Sequence, residues 1–279
     1  MVKFDWTITS KESLLKLKLG ELKKYRHLFF QLVYRDLIAT YKQTILGPAW
    51  LIIHPIITTF IFTLVFGKII KISTEGLPQP LFFLSGIICW NYFSECFSRT
   101  STVFKDNTNV FGKIYFPRII VPICLSISMF VRFLIHLILL SIVMLMYGDH
   151  PFHCSFFKVI SILPLLVLMM AMLGVGFGLI VACLTIKYKD LNFVIAFGLQ
   201  LTMYTTTVIF PLSSAPTNFK NFVQVNPMTA VIEAFRYALF DSGSFSVAST
   251  VGSLSFSILI FSIGFIIFNR VERTFIDNI

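Results

Sequence analysis

Six stretches of this chain run for about the thickness of a bilayer core with almost no charge, and that pattern limits the possible folds more than any other. A membrane-crossing helix needs about 20 mainly apolar residues. Residues 43–67 form a 25-residue window without a charge, between Lys42 and Lys68. Residues 76–94 give 19 more, extending to about Phe104 if Glu95 and Arg99 lie near the end of the span. Residues 119–148 are interrupted only by Arg132, and 159–186, 191–219 and 242–269 complete the set. Only 13% of residues are charged and 56% are hydrophobic, against about 25% charged in an average soluble domain. The expectation is an all-α polytopic membrane protein with six transmembrane helices. It divides into an N-terminal segment (1–45), a membrane domain (46–270) and a C-terminal tail (271–279).

The opening residues, "MVKFDWTITSKESLLKLKLGELKKYRH", are charged and lack the apolar core of a secretory signal. The first apolar run is therefore expected to be a retained span. Cys89, Cys96, Cys124, Cys154 and Cys183 are odd in number and form no CxxC pair. Four sit in apolar runs, where cysteine behaves as a small hydrophobe, so neither a disulfide framework nor a metal site is expected.

The net charge of +10 raises the question of nucleic acid, and the position of the charges answers it. With six spans both termini share one side. Segments on that side carry 17 of the 23 Lys and Arg, against 5 on the other. Such a bias marks cytoplasmic loops, so both termini are predicted to be cytoplasmic. The basic balance then needs no nucleic-acid partner.

Two segments outside the spans carry their own pattern. At 100° per residue, Phe30, Val33, Tyr34, Leu37, Ile38 and Tyr41 share one arc, opposite Gln31, Arg35, Asp36 and Lys42. A helix so divided lies in the interfacial plane on membrane lipid. Gly47-Pro48 breaks it before Trp50 opens the first span, leaving the polar face to the cytoplasm and a partner. Between the fifth and sixth spans, Pro211, Pro216 and Pro227 punctuate a semi-apolar stretch. A helical pattern from Met228 to Phe240 follows, carrying Glu233 and Arg236 at i, i+3. It is too short and too charged to cross, and predicts a re-entrant helix dipping into the outer face.

The chain contains no G-x-x-x-x-G-K-[ST] phosphate-binding loop, H-E-x-x-H or G-x-S-x-G. Arg132 and His136 stand one turn apart in the third span and read as a structural or substrate-facing polar pair. Proton-coupled carriers place carboxylates in mid-membrane, and this sequence shows none centrally. The energy source must come from elsewhere, which points to a separate ATPase.

Here the sequence resembles a known family. "YRDLIATYKQTILGPAW" (34–50), "GKIYFPRIIVP" (112–122), "KYKDL" (187–191), "VNPMTAVIEAFRYALF" (225–240) and "VERTFIDNI" (271–279) are similar, in order and spacing, to the permease subunit of ABC transporters that export polysaccharide. That group handles O-antigen, capsule and teichoic acid chains. The resemblance implies a non-catalytic permease in the bacterial inner membrane. Two copies would work with two copies of a nucleotide-binding subunit that binds ATP and Mg and contains the catalytic residues. The cargo would be a lipid-linked polysaccharide. The family's interfacial helix maps onto about 28–42 and its coupling loop onto 104–118. Arg35, Asp36, Lys42, Asp106, Asn107, Asn109, Lys113 and Arg118 then become the expected ATPase contacts.

For the glycan path, the resemblance implies a lining from the first, second and fifth spans. Aromatic rings stack on the C–H faces of sugars, and Phe occurs 32 times. Phe60, Phe62, Trp90, Tyr92, Phe93, Tyr204 and Phe210 are the candidates. An ABC exporter of a small molecule or lipid is the nearest alternative. A membrane-embedded glycan-processing enzyme is a more distant one, lacking visible acidic or metal-binding clusters.

Overall fold

The computed structural model describes residues 25–39, 42, 45–111, 116–147, 156–185, 188 and 190–276. Every regular element among them is helical. Helix α1 (Arg26–Ala39) precedes a single-turn entry, Gly47–Ala49, that runs into α2 (Trp50–Phe62) and continues as a π-helical segment, Thr63–Ile69. Then come α3 (Gln79–Ser101), two short turns α4 (Val103–Asp106) and α5 (Thr108–Phe111), α6 (Ile120–Met146) and α7 (Phe156–Thr185). Next are α8 (Leu191–Tyr204), α9 (Thr217–Val225), α10 (Pro227–Phe240) and α11 (Val247–Ile276). Helix α11 thus runs past residue 270, through most of the expected tail.

The bundle is built around α3 and α7. Residues 81–90 of α3 are all buried, so this helix is enclosed by protein on every side along its first half. What allows the approach is "LGVGFG" in α7. A Cβ on Gly174 would lie 2.8 Å from the Phe93 carbonyl of α3, and one on Gly178 would lie 2.9 Å from that of Phe97. Gly176, between them, turns to α11, where a Cβ would meet the Phe261 backbone at 2.8 Å. Three glycines on alternating faces let α7 contact two helices backbone to backbone. Small-residue packing of this kind is how helices associate in an apolar solvent.

Among the described residues, four helices are long and apolar enough to cross a membrane: Gly47–Ile69, Ile120–Met146, Phe157–Thr185 and Val247–Val271. They correspond to four of the six expected spans. The other two behave differently. Helix α3 has 23 residues, about 35 Å at 1.5 Å per residue, but Gln79, Asn91, Glu95 and Arg99 lower its hydropathy. The expected fifth span, 191–219, is not one helix: α8 stops at Tyr204 after 14 residues, about 21 Å. The cause is local. Thr202, Thr205 and Thr206 turn their hydroxyls onto the carbonyls of Gly198, Thr202 and Met203 at 2.7–2.8 Å. Such side-chain bonds compete with the helical ladder, and Pro211 prevents its resumption.

The pairing expected of Arg132 and His136 is also replaced. Both are buried, but Arg132 Nη1 lies 3.5 Å from Glu95 Oε2 on α3. The His136 ring meets the Leu51 carbonyl at 3.0 Å. Each binds a different neighbour, so together they tie α6 to α3 and to α2.

The glycine contacts yield a direct comparison. Gly176→Val should lower the thermal midpoint of the purified protein in detergent, since overpacking a tight contact costs about 1–3 kcal/mol. Gly198→Val should not, because a Cβ there meets nothing within 4 Å. Equal midpoints for the two variants would show that the α7–α11 contact does not limit stability.

Candidate functional site

Polar groups gather at the two ends of the bundle. At one end, α1, the α4–α5 turns, the start of α6 and the ends of α7 and α11 share an apolar cluster. Its members include Leu32, Val103, Phe104, Phe111, Ile120, Leu179 and Phe268. Phe104 and Phe268 stack with centroids 4.9 Å apart, and Cys124 Sγ donates to the Phe29 carbonyl at 3.7 Å.

Across this cluster the structure joins two residues expected to face a partner. Arg35 Nη2 donates to Asn107 Oδ1 at 2.7 Å, and Asn107 Nδ2 donates to the Val103 carbonyl at 3.1 Å. Asn107 is buried. It clamps α1 onto the 102–111 turns instead of offering a free contact. Arg118 is also buried, its guanidinium 5.2 Å from the centroid of the Phe111 ring. Arg118, one of the expected ATPase contacts, therefore turns inward and presents little of its side chain. Asp36 is half-buried, on the arc of α1 that includes Leu32, contrary to its expected place on the polar face.

Among the described residues, the polar side chains this end exposes include Arg26, His27, Gln31, Arg35, Lys42, Lys105, Asp106 and Thr108. Asp106 accepts from the Thr102 hydroxyl at 2.7 Å. Lys113 lies outside the described residues, as does the side chain of Asn109. Helix α1 has three faces where the sequence pattern indicated two. Tyr25, Phe29, Leu32 and Val33 turn inward, while Phe30 (67% exposed), Tyr34 (68%) and Ile38 form an outward apolar stripe at i, i+4, i+8. Gln31 and Arg35 make the polar third.

At the other end, α10 begins and ends as its sequence dictates. Asn226 caps it by accepting from the Met228 N–H at 3.0 Å, Pro227 takes the first turn, and Asp241 adopts a left-handed conformation at the C-terminus. Glu233 and Arg236 are 2% and 1% exposed, and Arg236 Nη1 lies 3.4 Å from Glu233 Oε1. Arg236 also donates to the Phe82 and Val208 carbonyls at 3.1 and 3.4 Å and to Ser85 Oγ at 3.4 Å. Its guanidinium stacks 3.6 Å from the Phe82 ring centroid. Glu233 Oε2 accepts from the Ser244 N–H at 2.9 Å and hydroxyl at 3.1 Å. Gly86 leaves room for the arginine, since a Cβ there would lie 3.0 Å from Arg236 Nη2 and from Val208 Cα. The i, i+3 pair was legible in the sequence; its partners on α3 were not.

The aromatic candidates are not gathered on one surface. Trp90 (5% exposed), Tyr92 (4%) and Phe93 are buried inside this chain. Trp90 packs on Phe93 at 5.3 Å and Tyr92 on Phe133 at 5.0 Å. Their ring faces are already covered, so in this conformation they are packing residues and present no lining. Phe62 and Phe210 are half-buried against the same core. Phe60 and Tyr204 remain exposed.

Long apolar helices, glycine-mediated helix contacts and charges buried only in pairs or over rings define an integral membrane protein of the helical-bundle class. More closely, the chain belongs to the ABC-2 type transporter family, whose pattern it matches over residues 27–240. It is similar to an "O-antigen export system permease protein RfbA" of Myxococcus xanthus, with 24% identity over 79% of this chain and 83% of the relative. A protein of the same name from Klebsiella pneumoniae shows 23% identity over 87% and 91%. The "Polysialic acid transport protein KpsM" of Escherichia coli shows 23% identity over 74% and 78%.

Two stability outcomes follow from this geometry. Arg236→Gln strands a buried carboxylate and should cost about 3–5 kcal/mol, read as depleted protein in the membrane. Adding Glu233→Gln to it should recover part of that loss. Trp90→Ala with Tyr92→Ala should likewise deplete the protein, since truncating a buried aromatic costs about 3–5 kcal/mol. Normal protein level for the Trp90/Tyr92 double variant would contradict a packing role.

Proposed function

We propose that this chain is the membrane-embedded subunit of an ATP-driven exporter that carries a lipid-linked, O-antigen-like polysaccharide out of the cytoplasm across the bacterial inner membrane. In this reading two copies pair with two copies of a separate nucleotide-binding subunit, which binds ATP and Mg. The observation that carries it is the clamped end of the bundle. Arg35 and Asn107 fix α1 to the 102–111 turns, so the exposed Arg35, Lys105, Asp106 and Thr108 move as one body with the ends of α6, α7 and α11. A rigid polar platform joined to the spanning helices can pass a partner's motion into the membrane. The names of the relatives support the cargo.

The topology proposed is six crossings with both termini cytoplasmic, supported by the distribution of Lys and Arg. Helix α3 is long enough to cross, and its enclosure by α2, α6, α7 and α10 relieves it of the need for an apolar exterior. The fifth crossing is α8 plus the buried, non-helical 206–209. Irregular backbone at membrane depth is tolerated where protein surrounds it. Helix α10 is then re-entrant: Arg236 reaches Ser85, six residues into α3 and so about 9 Å from its start. The outward stripe of Phe30, Tyr34 and Ile38 suits α1 to lie against lipid at the interface. Of the proposed aromatic lining, Phe60 and Tyr204 are the members with open ring faces.

The test is assembly. The chain coexpressed with its nucleotide-binding partner should copurify with it and show ATP hydrolysis, and alone should hydrolyse none. Lys105→Glu with Asp106→Lys alters only exposed side chains, so protein level should stay normal while copurification and surface glycan fall. Unchanged copurification would remove the 102–111 turns from the interface. ATPase activity of the pure isolated chain would overturn the reading.

A further inference from the structure

The half of α3 nearest the clamped end has two opposite faces. Trp90, Tyr92, Phe93 and Cys96 are buried in the core. Asn91, Ser94, Glu95, Ser98, Arg99 and Thr102, spaced i, i+3, i+4, i+7, i+8 and i+11, are half-exposed or exposed. Across from this stripe stand Arg132 on α6, bound to Glu95 at 3.5 Å, and His54 on α2. Arg99 stands one turn from Glu95 on the same stripe, and His54 one turn along α2 from Leu51, whose carbonyl meets the His136 ring of α6. His54 is exposed, and Arg99 half-exposed.

A stripe of this composition cannot face acyl chains. Ionisable groups at membrane depth turn to a bundle interior or a water-filled path. The charges also do not balance: two guanidiniums, Arg99 and Arg132, accompany one carboxylate, Glu95. Glu95 holds Arg132, which leaves the half-exposed Arg99 as the guanidinium in excess, with the exposed His54 imidazole as a neighbouring hydrogen-bonding group. A second copy docked here about a two-fold axis would set the same positive excess against itself. An anion fits better. Arg99 and Glu95 lie two and six residues from the end of α3, about 3 and 9 Å along its axis, close to the end that the Lys and Arg distribution assigns to the cytoplasmic, headgroup side. Guanidinium forks match phosphoryl oxygens, and the Asn91, Ser94 and Ser98 amide and hydroxyls offer partners for sugar hydroxyls farther along.

We propose that the face formed by Arg99, His54 and the Glu95-held Arg132 is the loading site for the phosphoryl headgroup of a lipid-linked glycan. This rests on the exporter reading above. Arg99 and His54 contact the headgroup oxygens, and Glu95 positions Arg132 beside them. The polar stripe of α3, not its aromatic face, is where the carrier enters.

The complex with its nucleotide-binding subunit, reconstituted in phosphatidylcholine bilayers, is titrated with a long-chain polyprenyl diphosphate while ATP hydrolysis is followed. The wild type should be stimulated. Arg99→Gln should raise the half-maximal diphosphate concentration about tenfold, and His54→Gln, which touches no core packing, by a few-fold. Lys68→Gln at the opposite end should leave it unchanged. Gel filtration of each complex monitors assembly, and the exposed His54 variant keeps the test open if Arg99→Gln fails to assemble. Stimulation of the wild type with unshifted midpoints in both variants would overturn the site and leave the exporter reading standing. Equal stimulation by phosphatidylglycerol, with the same Arg99 dependence, would make this a bulk-lipid site and also overturn the proposal. No response of the wild type to the diphosphate would overturn both readings.

Discussion

The close approach of α7 to α3 and α11 is the contact on which the other arrangements depend. In water, burying apolar side chains would suffice to hold these helices together. Between helices bathed in hydrocarbon that driving force is missing, and dispersion at short range must supply the attraction. Gly174 and Gly178 bring α7 onto the Phe93 and Phe97 carbonyls of α3, and Gly176 brings it onto the Phe261 backbone. With α3 fixed so tightly on one side, its remaining surfaces are assigned: α10 against its first turns, α2 and α6 beside its later ones.

The buried charges lie where those surfaces meet. Arg236 joins α10 to α3 and to the irregular 205–211 segment through two carbonyls, a hydroxyl and a ring face. A guanidinium so enclosed is tolerable because most of its donors and one π-face are occupied and Glu233 offsets the charge. The arrangement confers uniqueness more than stability, since few other placements of α10 would satisfy all of these groups. Arg132 serves a similar end between α6 and α3, but its partner Glu95 is partly open to the surroundings. One arginine therefore closes a joint, while the other borders a surface.

How much of this the sequence disclosed depends on the range of each interaction. Charge-free windows recovered the positions of α2, α3, α6, α7 and α11, because hydropathy is a sum over local residues. Pro227 and the Glu233–Arg236 spacing located α10, since a proline break and i, i+3 pairing are local too. The break after Tyr204 was missed, although Thr205-Thr206-Thr207 before Pro211 was its signal: three β-branched hydroxyl residues invite back-bonding onto helical carbonyls. The glycine spacing 174, 176, 178 was likewise present in the sequence but unread. The links Arg35–Asn107, Arg132–Glu95 and Arg236–Ser85 span 72, 37 and 151 positions, and no periodicity announces such partners.

The placement of the aromatic residues follows from the same distances. Sugar-stacking chemistry drew attention to Trp90, Tyr92 and Phe93, yet a large apolar ring on a central helix is also what neighbouring helices cover most readily. Trp90 packs on Phe93 and Tyr92 on Phe133 at 5.0–5.3 Å, which uses up their faces. The residues that helices cannot cover without cost are the polar ones a turn away, Asn91, Glu95, Ser98 and Arg99. In a membrane protein the wet surface is therefore better located by asking which polar side chains remain half-exposed on a central helix than by counting rings. Helix α3 carries both classes on one cylinder, so the packing that buries its rings is what turns its polar stripe outward.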